Sequence, residues 1–466
     1  MAVGEKCAVF AAYSKNRRTM IAKSIYYGLL SLQHRGQEAS GICTYDNEGL
    51  RIHRGTGLVR EVFNEIELQN LFGPAGIGHN RYSTTGDSSF ENSHPFVIKG
   101  PRNGIAIAHN GNLVNYSELR TQLSECGHVF TSSTDTELIA HVLAIELIEN
   151  DFETAIVDTM RQIEGAYSLV ILTGRGELAA ARDPLGFRPL CLGSSKDAYY
   201  VASESVGIEA AGGALERDVE PGEIVLFDSN GMRSRRAFRE GRRAHCMFEY
   251  VYFARPDSII DGKYVLHARE EIGRALAREH PVEADVVVPV PDSARTAAAG
   301  YSMESGIPSV EGLYKNRYIG RTFIMPQQSK REEAVSLKMS PLRPITGGKR
   351  VVLIDDSIVR GTTTRKIVEI LKTRGGAEEV HVRIGCPPLK WPCFMGVDMS
   401  TRRELIASSN AIESIRKILG ADSLGYLSMR GLLDAIGKRE GDLCMACLNG
   451  DYPIGIQDEE YREILR

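Results

Sequence analysis

Short apolar runs separated by polar turns fill the first half of the chain. Cys7-Ala-Val-Phe-Ala-Ala-Tyr13, Gly104–Ala108 and Tyr167–Leu172 each have the length and residue types of a buried strand. Pro221–Phe227 predicts a further strand that ends in the turn Asp228-Ser229-Asn230-Gly231. A basic stretch, Arg233 to Arg243, follows and reads as a solvated connection and a domain boundary. Beyond it the pattern changes to strand–helix alternation. Asp285–Val290 is a buried-strand run, Val351–Ile354 is another, and Val380, Val382 and Ile384 alternate as a third. Between the last two, Thr364–Leu371 carries apolar residues at helical spacing. Strands alternating with helices imply a parallel sheet, so the second half is expected to be α/β.

Length and charge narrow this picture. A chain of 466 residues is too long for one ordinary core and predicts two or three domains. The net charge of −4 gives no general attraction to nucleic acid or membrane. No apolar run approaches the roughly 18 residues of a membrane span. The run at residues 7–13 has its basic residues, Lys15, Arg17 and Arg18, on the wrong side for a signal peptide, so a cytoplasmic protein is expected. Nine cysteines, an odd number, point to catalysis, metal binding or burial rather than disulfides. Cys43, Cys126 and Cys191 read as buried small hydrophobes.

The densest chemistry lies between strand and helix, in Asp355-Asp356-Ser357-Ile358-Val359-Arg360-Gly361-Thr362-Thr363. The crevice beyond the carboxyl end of a strand is where open α/β sheets hold ligands. Carboxylates suit ribose hydroxyls or a hydrated Mg²⁺, and backbone N–H groups at a helix start suit phosphate. Helix capping alone would need one acidic residue, not two. No G-x-x-x-x-G-K-[ST] occurs, so this is no Walker A loop. The segment resembles the phosphoribosyl pyrophosphate (PRPP) signature of type I phosphoribosyltransferases. That resemblance implies that Asp355, Asp356, Ser357, Arg360, Gly361, Thr362 and Thr363 wrap the ribose and 5-phosphate of PRPP.

The front half carries a second constellation. Cys7 heads the first run, and Gln33–Ile42 is a polar loop. Gly78–Thr84 places Arg81 after a glycine-containing turn. His109-Asn110-Gly111-Asn112-Leu113 places an amide and a glycine N–H beyond a strand, and Ser132–Glu137 places Asp135 at a helix start. Singly, these read as a surface cation, a hairpin turn and a helix cap. Jointly and in this order they resemble the class II glutamine amidotransferases, a branch of the N-terminal nucleophile hydrolases. The resemblance implies an αββα sandwich and removal of a propeptide, residues 1–6, to leave Cys7 as nucleophile with a free α-amine. It further implies Arg81 on the glutamine carboxylate, Asp135 on its ammonium, and Asn110 with the Gly111 N–H as oxyanion hole. Ala8 and Ala11 stand where that family usually has glycine.

A glutaminase (7–238) preceding a phosphoribosyltransferase (239–466) resembles the amidophosphoribosyltransferase family. The resemblance implies that PRPP, glutamine and water become 5-phosphoribosylamine, glutamate and pyrophosphate, in the first committed step of purine biosynthesis. Ammonia is then channelled internally, purine nucleotides act as feedback inhibitors, and the enzyme is a homo-oligomer. A loop around residues 315–340 would close over PRPP, with Lys315, Arg317, Arg321 and Lys338 as phosphate partners. Ser293, Asp355 and Asp356 would surround Mg²⁺. Cys444-x-x-Cys447 alone is ambiguous among zinc, redox and iron–sulfur use. Some members of the family hold a [4Fe-4S] cluster on four cysteines, implying Cys246, Cys393, Cys444 and Cys447 here; zinc and unligated thiols remain alternatives, and Cys386 is a rival for Cys393. Two other functions fit in part: a PRPP-binding regulator with a disabled glutaminase, and a sugar-phosphate aminating enzyme that matches only the front half.

Overall fold

The computed structural model describes residues 7–82, 90–238, 241–316, 338–399 and 401–456. Two antiparallel sheets form the first half. In the seven-stranded sheet the order is Ala214–Asp218, Cys191–Ser194, Ala198–Ala202, Ala8–Ser14, Ala75–Arg81, Ala39–Tyr45 and Leu50–Thr56. In the six-stranded sheet it is Gly231–Arg236, Glu223–Asp228, Leu178–Arg182, Gly165–Thr173, Ile105–Leu113 and Phe96–Ile98. Every residue of Ala8–Ser14 is buried because both of its faces are covered. Val9, Ala11 and Tyr13 face Ala106, Ala108 and Val170 of the other sheet. Ala8, Phe10 and Ala12 face Ile25 and Leu29 of the helix Ala22–Ser31. Outside the six-stranded sheet, Ile105, Ile107 and Leu169 pack on the helices Asp135–Glu149 and Phe152–Gln162. Helix, sheet, sheet and helix stack as the expected αββα sandwich.

The second half is built on a parallel sheet ordered Val286–Pro289, Arg350–Asp355, Glu379–Ile384 and Ser423–Tyr426. Val286–Pro289 and Val351–Ile354 are continuous apolar runs, as strands buried on both faces are, while Glu379–Ile384 alternates. Among the described residues no helix is long and apolar enough to cross a membrane.

Several local expectations are corrected. Arg81, Asn110 and Gly111 lie within strands rather than turns, because Ala75–Arg81 pairs with Ala8–Ser14 and Ile105–Leu113 pairs with Gly165–Thr173 along its whole length. Arg233–Arg236 is the outer part of an edge strand rather than a loose connection; the hairpin at Asn230-Gly231 returns the chain onto Glu223–Asp228, and charges are tolerated on an edge. Cys126 is exposed, at the carboxyl end of a polar helix, and no core reaches it.

The halves are tied by buried charge. Arg35 donates through Nε to Glu204 and through Nη2 to Glu249 Oε2 at 2.5 Å, and all three side chains are inaccessible to water. His34 Nε2 and the Arg255 N–H reach Glu204 at 2.7 and 2.9 Å, and the Ser258 hydroxyl also donates to it. Burial pushes the Glu204 carboxyl up, but Arg35 and His34 outweigh it and hold the group below the ordinary range. Arg188 lies 3.6 Å from Glu249 on its other side. Removing one member of a buried pair leaves its partner uncompensated. Arg35→Met is therefore expected to destabilise the protein by about 3–5 kcal/mol in denaturant unfolding; a loss under about 1 kcal/mol, as for surface pairs, would contradict this.

Candidate active sites

The first site forms where the two sheets of the sandwich meet. Cys7 precedes its strand, and its Sγ donates to the Tyr82 carbonyl at 3.4 Å. Burial pushes the thiol up to about 11, while the Tyr82 contact and Arg81 oppose it; the charges of Asp135 and Glu38 also reach it. Arg81 ends its strand almost wholly buried, with Glu38 Oε2 3.9 Å from Nη1. Asp135 opens its helix, accepting the Leu113 N–H at Oδ2 (3.2 Å) and facing His109 Nδ1 with Oδ1 (3.2 Å). Asn110 is buried, and its side-chain Nδ2 makes no hydrogen bond among the described residues. Cys7, Arg81, Asn110, Gly111 and Asp135 thus come together from four separated segments.

Other residues of this site carried no local signal. Tyr82 joins it to the second half, its hydroxyl 3.4 Å from Asp398 Oδ2. Asn112 Nδ2 donates to the Phe394 carbonyl at 2.9 Å. A Cβ on Gly396, whose φ is +84°, would come within 2.9 Å of the Gly111 backbone. The loop from Cys393 to Asp398 therefore backs the strand that carries Asn110 and Gly111.

The second site lies beyond the carboxyl end of Arg350–Asp355. Asp356 accepts from the Ser293 hydroxyl at 2.5 Å and from the Ser357 hydroxyl at 2.8 Å. Burial raises the Asp355 carboxyl well above its ordinary range, and repulsion by Asp356 adds to it. Asp356 is raised by burial too, against its serine hydrogen bonds and the buried Arg269 guanidinium. Gly361 turns the chain with φ +76° into the helix Thr362–Thr373, leaving Thr362 and Thr363 in its first turn. Arg360 is engaged with Glu404 Oε1 at 2.5 Å. Lys315 Nζ donates to Asp292 at 2.8 Å, and the Lys338 carbonyl accepts from the Asn316 N–H at 2.8 Å across a two-stranded ribbon. Arg317 and Arg321 lie outside the described residues, as does the segment 1–6.

Cysteines gather at the junction of the halves. Cys246 sits opposite Cys444 where His245–Cys246 and Leu443–Cys444 pair in parallel. Cys447 lies within electrostatic reach of Cys386, Cys393, Cys444 and Cys246. Burial pushes the Cys246 thiol up to about 12, with Arg188 and the Phe248 N–H opposing it. The Met395 N–H donates to Cys393 Sγ at 3.4 Å. Among the described residues no three potential ligands converge closely enough for a single metal ion. Cys386 stays in the same neighbourhood as a fifth thiol.

Comparison with known proteins matches both halves. A glutamine amidotransferase domain family matches residues 79–210, and a phosphoribosyl transferase domain family matches residues 264–386. The amidophosphoribosyltransferase of Methanothermobacter thermautotrophicus is 53% identical over 97% of this chain and 95% of its own. That of Methanocaldococcus jannaschii is 51% identical over 97% and 99%. The chain belongs to the amidophosphoribosyltransferase family. A solved member, the glutamine PRPP amidotransferase of Bacillus subtilis complexed with ADP and GMP, superposes with a TM-score of 0.90 at 46% identity, covering 97% of this chain and 98% of that one. The amidophosphoribosyltransferase match spans both sites and the cysteine junction.

The raised Asp355 carboxyl has a consequence for stability. The folded chain keeps a proton that the unfolded chain releases near about pH 3.9. At this group the folded state then binds more protons, so its own contribution to stability is largest in acid and falls as pH rises through the raised value. Asp355→Asn cannot ionise; it is expected to raise stability at pH 7 by at least about 1 kcal/mol and to leave it unchanged at pH 4. Thermal unfolding at the two pH values checks this, and an equal shift at both would refute it.

Proposed function

We propose that this chain makes 5-phosphoribosylamine, glutamate and pyrophosphate from PRPP, glutamine and water, in the first committed step of purine biosynthesis. The observation that carries the reading is the presence on one chain of two sites: the Cys7 constellation with the unbonded amide of Asn110, and the buried Asp355-Asp356 pair ending a parallel strand. In this reading residues 7–238 are the glutaminase, residues 239–466 the transferase, and the protein a cytoplasmic homo-oligomer.

Arg81 and Asp135 hold the ends of glutamine, and Cys7 attacks its side-chain carbonyl. The free α-amine of a processed Cys7, with a pKa of about 8, takes the thiol proton and returns it to the leaving nitrogen. Asn110 Nδ2 and the Gly111 N–H receive the developing oxyanion, a role worth roughly 3–4 kcal/mol for each donor. Ammonia departs, water releases glutamate from the thioester, and ammonia attacks C1 of the ribose to expel pyrophosphate. Ser357, Gly361, Thr362 and Thr363 cradle the 5-phosphate at the helix start. Lys315, Arg317, Arg321 and Lys338 serve the pyrophosphate when the loop closes. Two buried carboxylates that repel each other suit a divalent cation. Ser293, Asp355 and Asp356 would hold Mg²⁺, which neutralises the leaving group when bound. Ammonia would pass internally between the sites, and the Tyr82–Asp398 contact, which ties the glutaminase site to the transferase half, is consistent with such a passage. The ADP and GMP bound by the Bacillus subtilis relative support purine nucleotides as inhibitors.

The iron–sulfur type is part of the proposal. Cys246, Cys393, Cys444 and Cys447 offer four mutually close thiols, three of them buried and several with backbone N–H groups aimed at sulfur, which suits a [4Fe-4S] cluster. Its role here is to join the C-terminal segment to the domain junction.

With glutamine and Mg²⁺, glutamate and pyrophosphate should both form, the latter only when PRPP is present. Cys7→Ser should lower glutamine-dependent transfer by at least about 1,000-fold and spare transfer from ammonia, while Asp356→Asn should lower both. Failure to release pyrophosphate from either nitrogen source would leave the PRPP-binding regulator as the better reading. Protein purified without oxygen should be brown, with about four iron and four sulfide per chain; stoichiometric zinc without iron would remove the cluster.

A further inference from the structure

Arg188 is among the largest side chains in the protein that water does not touch. A guanidinium has five N–H donors and no way to shed its charge. Among the described residues only Nη2 of Arg188 is hydrogen bonded, to the Met395 carbonyl. Nη1 stands 3.6 Å from Glu249 Oε1 without a hydrogen bond, and Nε has no partner among the same residues. Glu249 is already engaged by Arg35 Nη2 at 2.5 Å. Burying such donors unused is costly.

The backbone on both sides of the guanidinium leads to cysteines. The Met395 residue that anchors the guanidinium donates its own N–H to Cys393 Sγ at 3.4 Å. The residue before Arg188 offers its carbonyl to the Cys246 N–H at 3.1 Å. The arginine thus lies between Met395, which donates to the Cys393 sulfur, and Phe187, which accepts from the Cys246 backbone. Phe187, the neighbour of Arg188, packs in one apolar cluster with Met395, Cys393 and Cys444.

We infer that Arg188 is the counter-charge of the [4Fe-4S] group proposed above, with Nε–H and Nη1–H as donors to its sulfur atoms. The inference rests on the cluster reading. Four thiolates around such a core leave a net negative charge, and a buried anion needs a buried cation. Hydrogen bonds to sulfur and local charge set the reduction potential of these centres. A fixed positive charge favours the reduced state, so its removal lowers the potential.

Arg188→Gln and Arg188→Lys, purified without oxygen beside the parent, test this. The readouts are iron per chain, the midpoint potential, and the half-life in air of the visible absorbance. Arg188→Gln should have a more negative midpoint and a half-life shortened about tenfold. Arg188→Lys should keep the midpoint close to that of the parent and still lose iron faster. Parent-like potential and half-life in Arg188→Gln would overturn the inference. If that variant is insoluble, an Arg188→Lys protein as air-stable as the parent does so instead. A parent protein without iron would overturn the cluster reading itself, and the role of Arg188 with it; an iron-loaded parent with unaltered variants overturns the arginine alone.

Discussion

A buried guanidinium cannot be left between two domains unless both supply its acceptors. Arg35 enforces this: one face binds Glu204 of the sandwich and the other binds Glu249 of the transferase half. The charges are out of water, so the geometry of each half is fixed by the other. Around Glu204 the same constraint gathers His34, Ser258 and the Arg255 backbone, and around Glu249 it gathers Arg188. The cysteine junction and the loop behind the strand that carries Asn110 and Gly111 lie against this core of charge. Such ion pairs often add little net stability against an apolar alternative; what they add here is a single relative placement of the two sites.

The sequence made local chemistry legible and long-range chemistry illegible. Strand, loop and helix around Asp355 follow one another along the chain, so their residue types and spacing were enough. Cys7, Arg81 and Asp135 were readable as candidates for the same reason: each sits in a short segment of recognisable type. Their convergence was not, since it depends on two sheets packing face to face. Asn110-Gly111 has the look of a hairpin turn, but pairing of Asn110 with Ser168 and Gly111 with Tyr167 overrides that preference. Nothing in the sequence ties Arg35 to Glu204 and Glu249; partners 169 and 214 residues apart leave no periodic trace. Cys126 was misjudged because burial of a small hydrophobe is a statistical habit, and the polar helix that carries it offers no core.

Two demands on the interior pull in opposite directions. The carboxylates at the transferase site are buried before any ligand arrives, at a cost to the folded state. The cationic side of the interior is overdrawn as well, with Arg188 and Arg269 buried among carbonyls. A protein selected for stability alone would fill these places with apolar residues. Their retention marks places where binding, rather than folding, sets the residue type.

The contact between Gly396 and Gly111 bears on how freely the halves can be exchanged. Backbone meets backbone there with no room for a side-chain atom on Gly396. One half thus supplies part of the wall of the other's reaction chamber. A glutaminase domain grafted from another protein would meet this transferase half correctly only if its own backbone ran through the same spot, since Gly396 has no side chain with which to fill a gap. Despite their separate folds, the two halves are not interchangeable modules.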